Sequence, residues 1–378
     1  MHSITQGLLD AGHVVKVLCI STPKHPLNVS LLPKEYRDRT RIEGIYVDTS
    51  LNIVDAFTDL VTADNYNVSR FFSPDMDIRL IQLLGQEEFD VIHLESLFTT
   101  PYIATLRRYS KARIVLRSHN LEHVIQERLA QEEHNILKKP YRRFLARQLK
   151  AYEEAILDQV DAVATITASD ARHMASHGSP TPIATVPFGL DPAEYVRPTS
   201  EGPPIFFHLG SMDWQPNEEG VRWLLRSVWP RVMQAHPEAQ LHLAGNRMPK
   251  DMIRARVPGT TVTGRVPDAI GYMAERHVML VPLFSAGGMR VKIIEGMAMG
   301  KCVISTTIGA EGIRCTDGEN ILLADSTAAF VEMIGRVIAD PHLAARIGEN
   351  GRLLVQREHT NAHTIHELVA LYSSLFPG

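Results

Sequence analysis

The sequence predicts an α/β protein built from two doubly wound domains. Short runs rich in Val, Ile, Leu and Ala alternate with longer stretches of helical period, the pattern of buried parallel strands joined by crossover helices. One stretch, Asp191–Pro204, is rich in Pro, Gly and Ser and breaks both periods. About half of the 378 residues lie on either side of it, and each half repeats the alternation.

Taken in order, Gln6–Gly12 reads as the end of a helix with Gly12 as its C-cap, followed at once by a strand over Val14–Ile20. A doubly wound domain normally opens on a strand, and none precedes this helix. The expectation is that the first strand is absent or that the chain starts late. Further strands are read at Asp90–Glu95, Arg113–Arg117, Ala162–Thr167 and Ile183–Pro187 in the first half. Ile205–Gly210, Gln240–Gly245, Val278–Leu283 and Cys302–Ser305 follow in the second. Helical patterns occupy Glu122–Asp158, Glu218–His236 and Arg290–Met299. A last amphipathic stretch, Ala362–Phe376, is expected to pack back across the boundary. The expected domains are therefore residues 1–195 and 196–360, with a C-terminal helix over 361–378.

Composition narrows the function classes. Lys and Arg number 39 against 43 Asp and Glu, a net charge of −4, which argues against a nucleic-acid binder. The three cysteines, Cys19, Cys302 and Cys315, form no CxxC pair. That excludes a disulfide framework and a Cys-based zinc site, and fits a reducing compartment. No apolar run approaches the roughly 18 residues of a membrane span, and the start lacks the charged and apolar regions of a signal peptide. The expected location is cytoplasmic, with at most peripheral contact at the inner face of a membrane.

The segment richest in chemistry is Val281–Gly300, VPLFSAGGMRVKIIEGMAMG. A buried strand ends in a Gly-Gly turn and a helix follows, so free N–H groups and the positive end of a helix dipole face any anion placed there. At 100° per residue Val291, Ile294, Met297 and Ala298 share one face, with Ile293 at its edge. Lys292 and Glu295 lie together on the other side. They read as part of a clamp for a nucleotide-sugar diphosphate or, more plainly, as a solvated i,i+3 ion pair. Neither they nor Arg290 sits on the core face.

His119, in RSHNLEH, stands where a strand runs into a helix, the place where open α/β sheets bind ligands. It either donates to a sugar hydroxyl or phosphate, or merely caps the helix. His119, Glu122 and His123 also match H-x-x-E-H, an inverted zinc-protease motif. That motif needs an established helix turn, and a strand–helix junction does not offer one, so no zinc site is expected. Glu95 ends a strand in the same region; it either contacts an acceptor or is a plain edge carboxylate. Asp75-Met76-Asp77 after Ser73-Pro74 reads as helix capping rather than a metal-binding D-x-D. Lys138, Lys139, Arg142, Arg143, Arg147 and Lys150 form a basic stretch that either touches anionic lipid or is a solvated face, with Glu132, Glu133, Glu153 and Glu154 flanking it.

Together these segments resemble the glycosyltransferase family 4 (group 1) enzymes, of GT-B fold, over nearly the whole chain. GLLDAGHVV at residues 7–15 resembles the family's first helix and strand, and VPFGLD at 186–191 looks like its hinge-side loop. HLGSMDWQPN at 208–217 resembles the opening of the second domain in the polysaccharide-biosynthesis branch. The most specific match is GGMRVKIIEGMAMGKCVIST, at residues 287–306.

The resemblance implies two doubly wound, Rossmann-like domains facing a cleft, with a nucleotide-sugar donor held mainly by the second. It implies transfer of that sugar, with retention, to a glycan or lipid-linked acceptor in polysaccharide biosynthesis, without metal or other cofactor. Glu295 then bonds the donor ribose, Gly287 and Gly288 turn the backbone near the donor, and Arg290 and Lys292 face the diphosphate. Gly210 opens the second domain's donor loop, His119 lies near the transferred sugar, and Glu95 is on the acceptor side. His119 and Glu295 are the expected catalytic pair. The chain departs from the family in three ways. Gly287 stands where many members carry the first acid of Glu-x7-Glu. Ser211, Met212 and Asn217 stand where Arg and Lys are usual, which shifts weight onto Arg290 and Lys292. The family's first strand and Gly-rich loop do not precede Met1. The alternatives are a nucleotide-sugar epimerase of similar fold and a catalytically silent nucleotide-sugar-binding subunit.

Overall fold

The structure is a computed structural model that describes residues 2–49, 66–133, 135–136, 138–195, 202–285 and 288–376. The chain divides into two compact units. The first comprises Met1–Pro187 with Thr364–Gly378, and the second Phe188–His363. The middle of the Asp191–Pro204 stretch, residues 196–201, lies outside the described residues.

In the first unit, β1 (Leu18–Ser21) and β2 (Glu43–Tyr46) form a two-stranded parallel sheet. β3 (Val91–Glu95), β4 (Arg113–Ser118), β5 (Ala162–Thr165) and β6 (Ile183–Thr185) form a second parallel sheet in that order. Successive side chains of a strand face opposite ways. Ile114 and Leu116 therefore join Leu94, Val163, Leu149 and Ile156 on one side. Val115, Ala162 and Ala164 join Leu8, Ile365, Leu368 and Leu371 on the other. The last three come from the C-terminal Asn361–Ser374 helix, which thus packs into the first unit.

Three elements that the sequence suggested take a different form. The strand expected from Val14 begins at Leu18, and Val14 is exposed. The preceding helix ends at Asp10 and the turn passes through Gly12 at φ +89°. The single helix expected over Glu122–Asp158 is a pair, Glu122–Glu132 and Lys138–Leu157. The pair packs together because buried Glu153 of the second helix accepts the backbone N–H groups of Glu122 and His123 at the start of the first. The stretch Glu218–His236 is also interrupted, by a π turn at Leu224–Val228 between helices Gln215–Trp223 and Trp229–Ala235. Pro230, which lacks an N–H, follows that turn.

The second unit holds six parallel strands in the order β12-β11-β10-β7-β8-β9. They are β7 (Ile205–Leu209), β8 (Gln240–Ala244), β9 (Thr260–Gly264), β10 (Val278–Val281), β11 (Cys302–Ser305) and β12 (Leu322–Leu323). The chain winds outward from β7 to β9, then returns to β10 on the other side of β7. The topological switch point therefore lies between β7 and β10, where doubly wound sheets open a crevice at their carboxyl ends. Phe206, Leu241, Leu280 and Ile304 pack on one face of this sheet. Phe207, Met279, Val281 and Val303 pack on the other, against Ile293, Ile294 and Met297 of the Val291–Ala298 helix. Among the described residues no helix is long and apolar enough to cross a membrane.

Candidate functional site

The carboxyl ends of β7 and β10 are where the sequence-predicted donor residues of the second unit gather. Gly210 follows β7, and a side chain there would collide with Asn217: an added Cβ lies 2.7 Å from its Nδ2. Asn217 is itself buried, and its Nδ2 donates to the Ser211 carbonyl at 2.9 Å, closing the loop from 211 to 217. After β10, Gly288 turns the chain at φ +74°, a conformation costly for any other residue type. Gly287 lies outside the described residues.

Arg290 is the N-cap residue of the Val291–Ala298 helix rather than part of its first turn. Contrary to the expected placement off the core face, it is buried, with its guanidinium donating to the Gly288 carbonyl and lying 5.3 Å from the Trp214 ring centre. The helix face holding Lys292 and Glu295 does not form the solvated ion pair. Lys292 Nζ donates to Asn217 Oδ1 at 2.8 Å. Burial, aided by the nearby Arg290 charge, pulls its ammonium down to about 7. Glu295 Oε1 accepts from the Tyr195 hydroxyl at 3.2 Å. Burial raises the Glu295 carboxyl against that hydrogen bond, and burial together with the Glu295 charge raises the Tyr195 phenol, so the phenol stays the donor. Beneath them, fully buried His208 donates from Nδ1 to the Leu280 carbonyl, and burial holds it neutral with a pKa of about 3.

The first unit has its own polar cluster at the carboxyl ends of β3 and β4. Glu95 Oε1 accepts from His119 Nε2 at 3.0 Å, and its Oε2 pairs with His93 Nε2 at 2.5 Å. The Arg117 guanidinium lies 3.6 Å away. Burial works to raise the Glu95 carboxyl, but the His119 and His93 hydrogen bonds and the Arg117 charge outweigh it and hold it well below the usual carboxylate range. The Tyr372 hydroxyl of the C-terminal helix contacts His93 Nδ1 at 2.5 Å. Burial and the Glu95 charge raise that phenol, so it is the donor. The donors then run in one direction: Tyr372 to His93, and both histidine Nε2–H groups to Glu95. Among the described residues two positions of the cluster have no partner: the buried Nη1 of Arg117, and His119 Nδ1, on a side chain 37% exposed.

Two other motifs take structural roles. His123 pairs with Glu153 at 2.5 Å while His119 turns to Glu95, so H-x-x-E-H does not converge. Asp75 and Asp77 lie in the first turn of the Pro74–Leu84 helix, and Asp77 accepts from Thr105 at 2.5 Å. Sequence reasoning missed Tyr195, Trp214, His93, Arg117 and Tyr372. It noted Asn217 only as the absence of a lysine.

Known proteins match both units. Residues 1–194 match Glycosyltransferase Family 4, and residues 203–340 match the glycosyl transferases of group 1. An uncharacterized 44.6 kDa protein in the cps region of Klebsiella pneumoniae is 23% identical over 265 residues, which is 68% of this chain and 67% of that protein. Among solved structures, sucrose-phosphate synthase from Thermosynechococcus elongatus superposes with a TM-score of 0.72 at 18% identity, covering 99% of this chain and 92% of its own. HepE of Anabaena, in complex with UDP and glucose, gives 0.63 at 14% identity, covering 95% and 100%. These likenesses establish the fold as GT-B. With one family matched across more than half its length, the chain belongs to Glycosyltransferase Family 4 and is a glycosyltransferase.

Proposed function

We propose that this enzyme moves a sugar from a nucleotide-diphosphate donor to a glycan or lipid-linked acceptor, with retention at the anomeric carbon, in polysaccharide biosynthesis. The observation that carries the reading is the start of the Val291–Ala298 helix. A Gly288 turn, Arg290 at the N-cap, Lys292 and Glu295 follow one another beside the switch point of the sheet. The relative from a cps region and the UDP and glucose complex of HepE support the polymer context and the donor class. Retention rests on the family resemblance.

In this reading Glu295 accepts the ribose hydroxyls in place of the Tyr195 phenol. Lys292, Arg290 and the helix N-terminus stabilise the negative charge that grows on the departing diphosphate. Lys292 does the work that a lysine at position 217 would do, and Asn217 aims it. His119 meets the transferred sugar with the Nδ1 that its bond to Glu95 leaves free, accepting a hydrogen bond from a sugar hydroxyl. Glu95 is a positioning residue, and Arg117 compensates its charge.

Calorimetry on the intact protein tests the donor side. Lys292→Ala and Arg290→Ala should each weaken nucleoside diphosphate binding by about 1–3 kcal/mol, the scale of a charge-assisted hydrogen bond, and leave nucleoside binding nearly unchanged. Glu295→Gln should weaken nucleoside and nucleoside diphosphate binding alike, because the ribose is common to both. His119→Asn and Glu95→Gln should lower turnover with nucleoside diphosphate affinity unaltered. Unchanged diphosphate affinity in Lys292→Ala would remove the donor assignment. Release of free nucleotide-sugar isomers without an acceptor would replace transfer by epimerisation, and an inverted product anomer would overturn retention.

A further inference from the structure

The hairpin of helices Glu122–Glu132 and Lys138–Leu157 carries a surface that neither the core nor the site uses. The thirteen residues KKPYRRFLARQLK, Lys138–Lys150, include six cations, Lys138, Lys139, Arg142, Arg143, Arg147 and Lys150, and no carboxylate, in a chain of net charge −4. Three of the six are occupied locally. Lys139 donates to the Gln131 carbonyl, Arg142 pairs with Glu133 at 3.0 Å, and Lys150 pairs with Glu154 at 3.9 Å. Lys138, Arg143 and Arg147 are exposed and make no ion pair among the described residues.

Apolar side chains stand among these cations. Ile136, Tyr141 and Phe144 are 86%, 49% and 41% exposed. Tyr141 and Phe144 are three residues apart and so are neighbours on one helix face. Arg143 and Arg147, four apart, line one margin of that face, and Lys138 stands a turn before Tyr141. A face held in water by its charges has no use for two exposed aromatic rings beside them. A soluble polyanion would be bound by the cations alone. Rings flanked by unpaired cations suit a surface that is charged at its boundary and apolar just beneath, as a bilayer is.

We propose that this end of the hairpin, residues 136 and 138–147, docks on an anionic lipid bilayer. The proposal stands apart from the donor assignment, since it involves none of the residues named in that site.

Co-sedimentation of the purified protein with vesicles tests it. One set is phosphatidylcholine alone; the other contains about 30% phosphatidylglycerol, to supply the negative surface. The protein should bind the second set and not the first, and binding should weaken as salt rises, because screening shortens the reach of each cation. Arg143→Glu/Arg147→Glu should weaken partitioning by about tenfold or more. Arg143→Gln/Arg147→Gln should weaken it less, and Tyr141→Ser/Phe144→Ser should weaken it while preserving the salt dependence. All these side chains are exposed, so the melting temperatures should match the parent. Failure to bind anionic vesicles overturns the proposal. So does equal binding by the parent and the variants, or binding of heparin together with no binding of vesicles.

Discussion

Lys292 couples acidity to stability. Burial takes its ammonium from 10.5 down to about 7. Between those values the unfolded chain holds a proton there that the folded chain has released. Stability from this group therefore rises with pH across that window and is lowest below pH 7, where the folded chain must hold the lysine charged in its desolvated position. Lys292→Met removes the titrating group. Urea unfolding at pH 7 and at pH 10 should show the parent gaining stability relative to the variant as pH rises; parallel changes in the two proteins would mean that the lysine keeps an ordinary acidity. At this scale the sequence singled out Arg290 and Lys292 but not their partners. Lys292 and Glu295 are three residues apart and look like each other's mates, yet Asn217 is 75 residues away from the first and Tyr195 100 from the second. No local spacing announces such pairs. Only the adjacency of β7 and β10 brings loop 211–217 to the helix.

The helix pair Glu122–Glu132 and Lys138–Leu157 depends on one carboxylate. Glu153 accepts from the N–H groups of Glu122 and His123 at 3.0 and 2.9 Å and pairs with the buried His123 ring. Glu153→Ala would leave two helix-terminal N–H groups and a buried imidazole without an acceptor. Breaking a buried, multiply bonded carboxylate costs about 3 kcal/mol, so chemical denaturation should register a loss of that order. A loss under about 0.5 kcal/mol, the scale of an ordinary surface change, would assign the helix start to solvent instead. This element also shows what a sequence pattern conceals. Helical period continues through residues 122–158 because both helices keep an apolar side; the mark of the break was Pro140, which is tolerated in the first turn of the second helix but not in the interior of one long helix. Strands such as Val278–Val281 were legible because both faces are buried and every residue is apolar. Thr260–Gly264 was not, because it is the edge strand of its sheet and alternates in burial. Glu43–Tyr46 was missed for the same alternation, and Val14–Lys16 was read as strand from its valines although the pairing with the second strand starts only at Val17, whose carbonyl accepts from the Glu43 N–H.

At the scale of the molecule, the first unit is assembled from both ends of the chain. Ile365, Leu368 and Leu371 close the face of its sheet that Val115, Ala162 and Ala164 present, and Tyr372 supplies the far end of the hydrogen-bond series that reaches His119. A fragment of residues 1–187 should therefore expose that apolar face, bind a hydrophobic dye and melt below the intact unit, and adding a peptide of residues 361–376 should restore part of the loss. Fragment 188–363 should melt cooperatively by itself, since both faces of its sheet are covered from within. Equal melting of fragment 1–187 and the intact first unit would show that the C-terminal helix is an ornament. The discontinuity also orders events in time. A ribosome releases the chain from its first residue to its last, so the second unit has all its residues before the first has its final helix. The half that begins synthesis is then the half that matures last, and a chain released just after residue 363 would carry a complete second unit while the sheet of the first is unsealed.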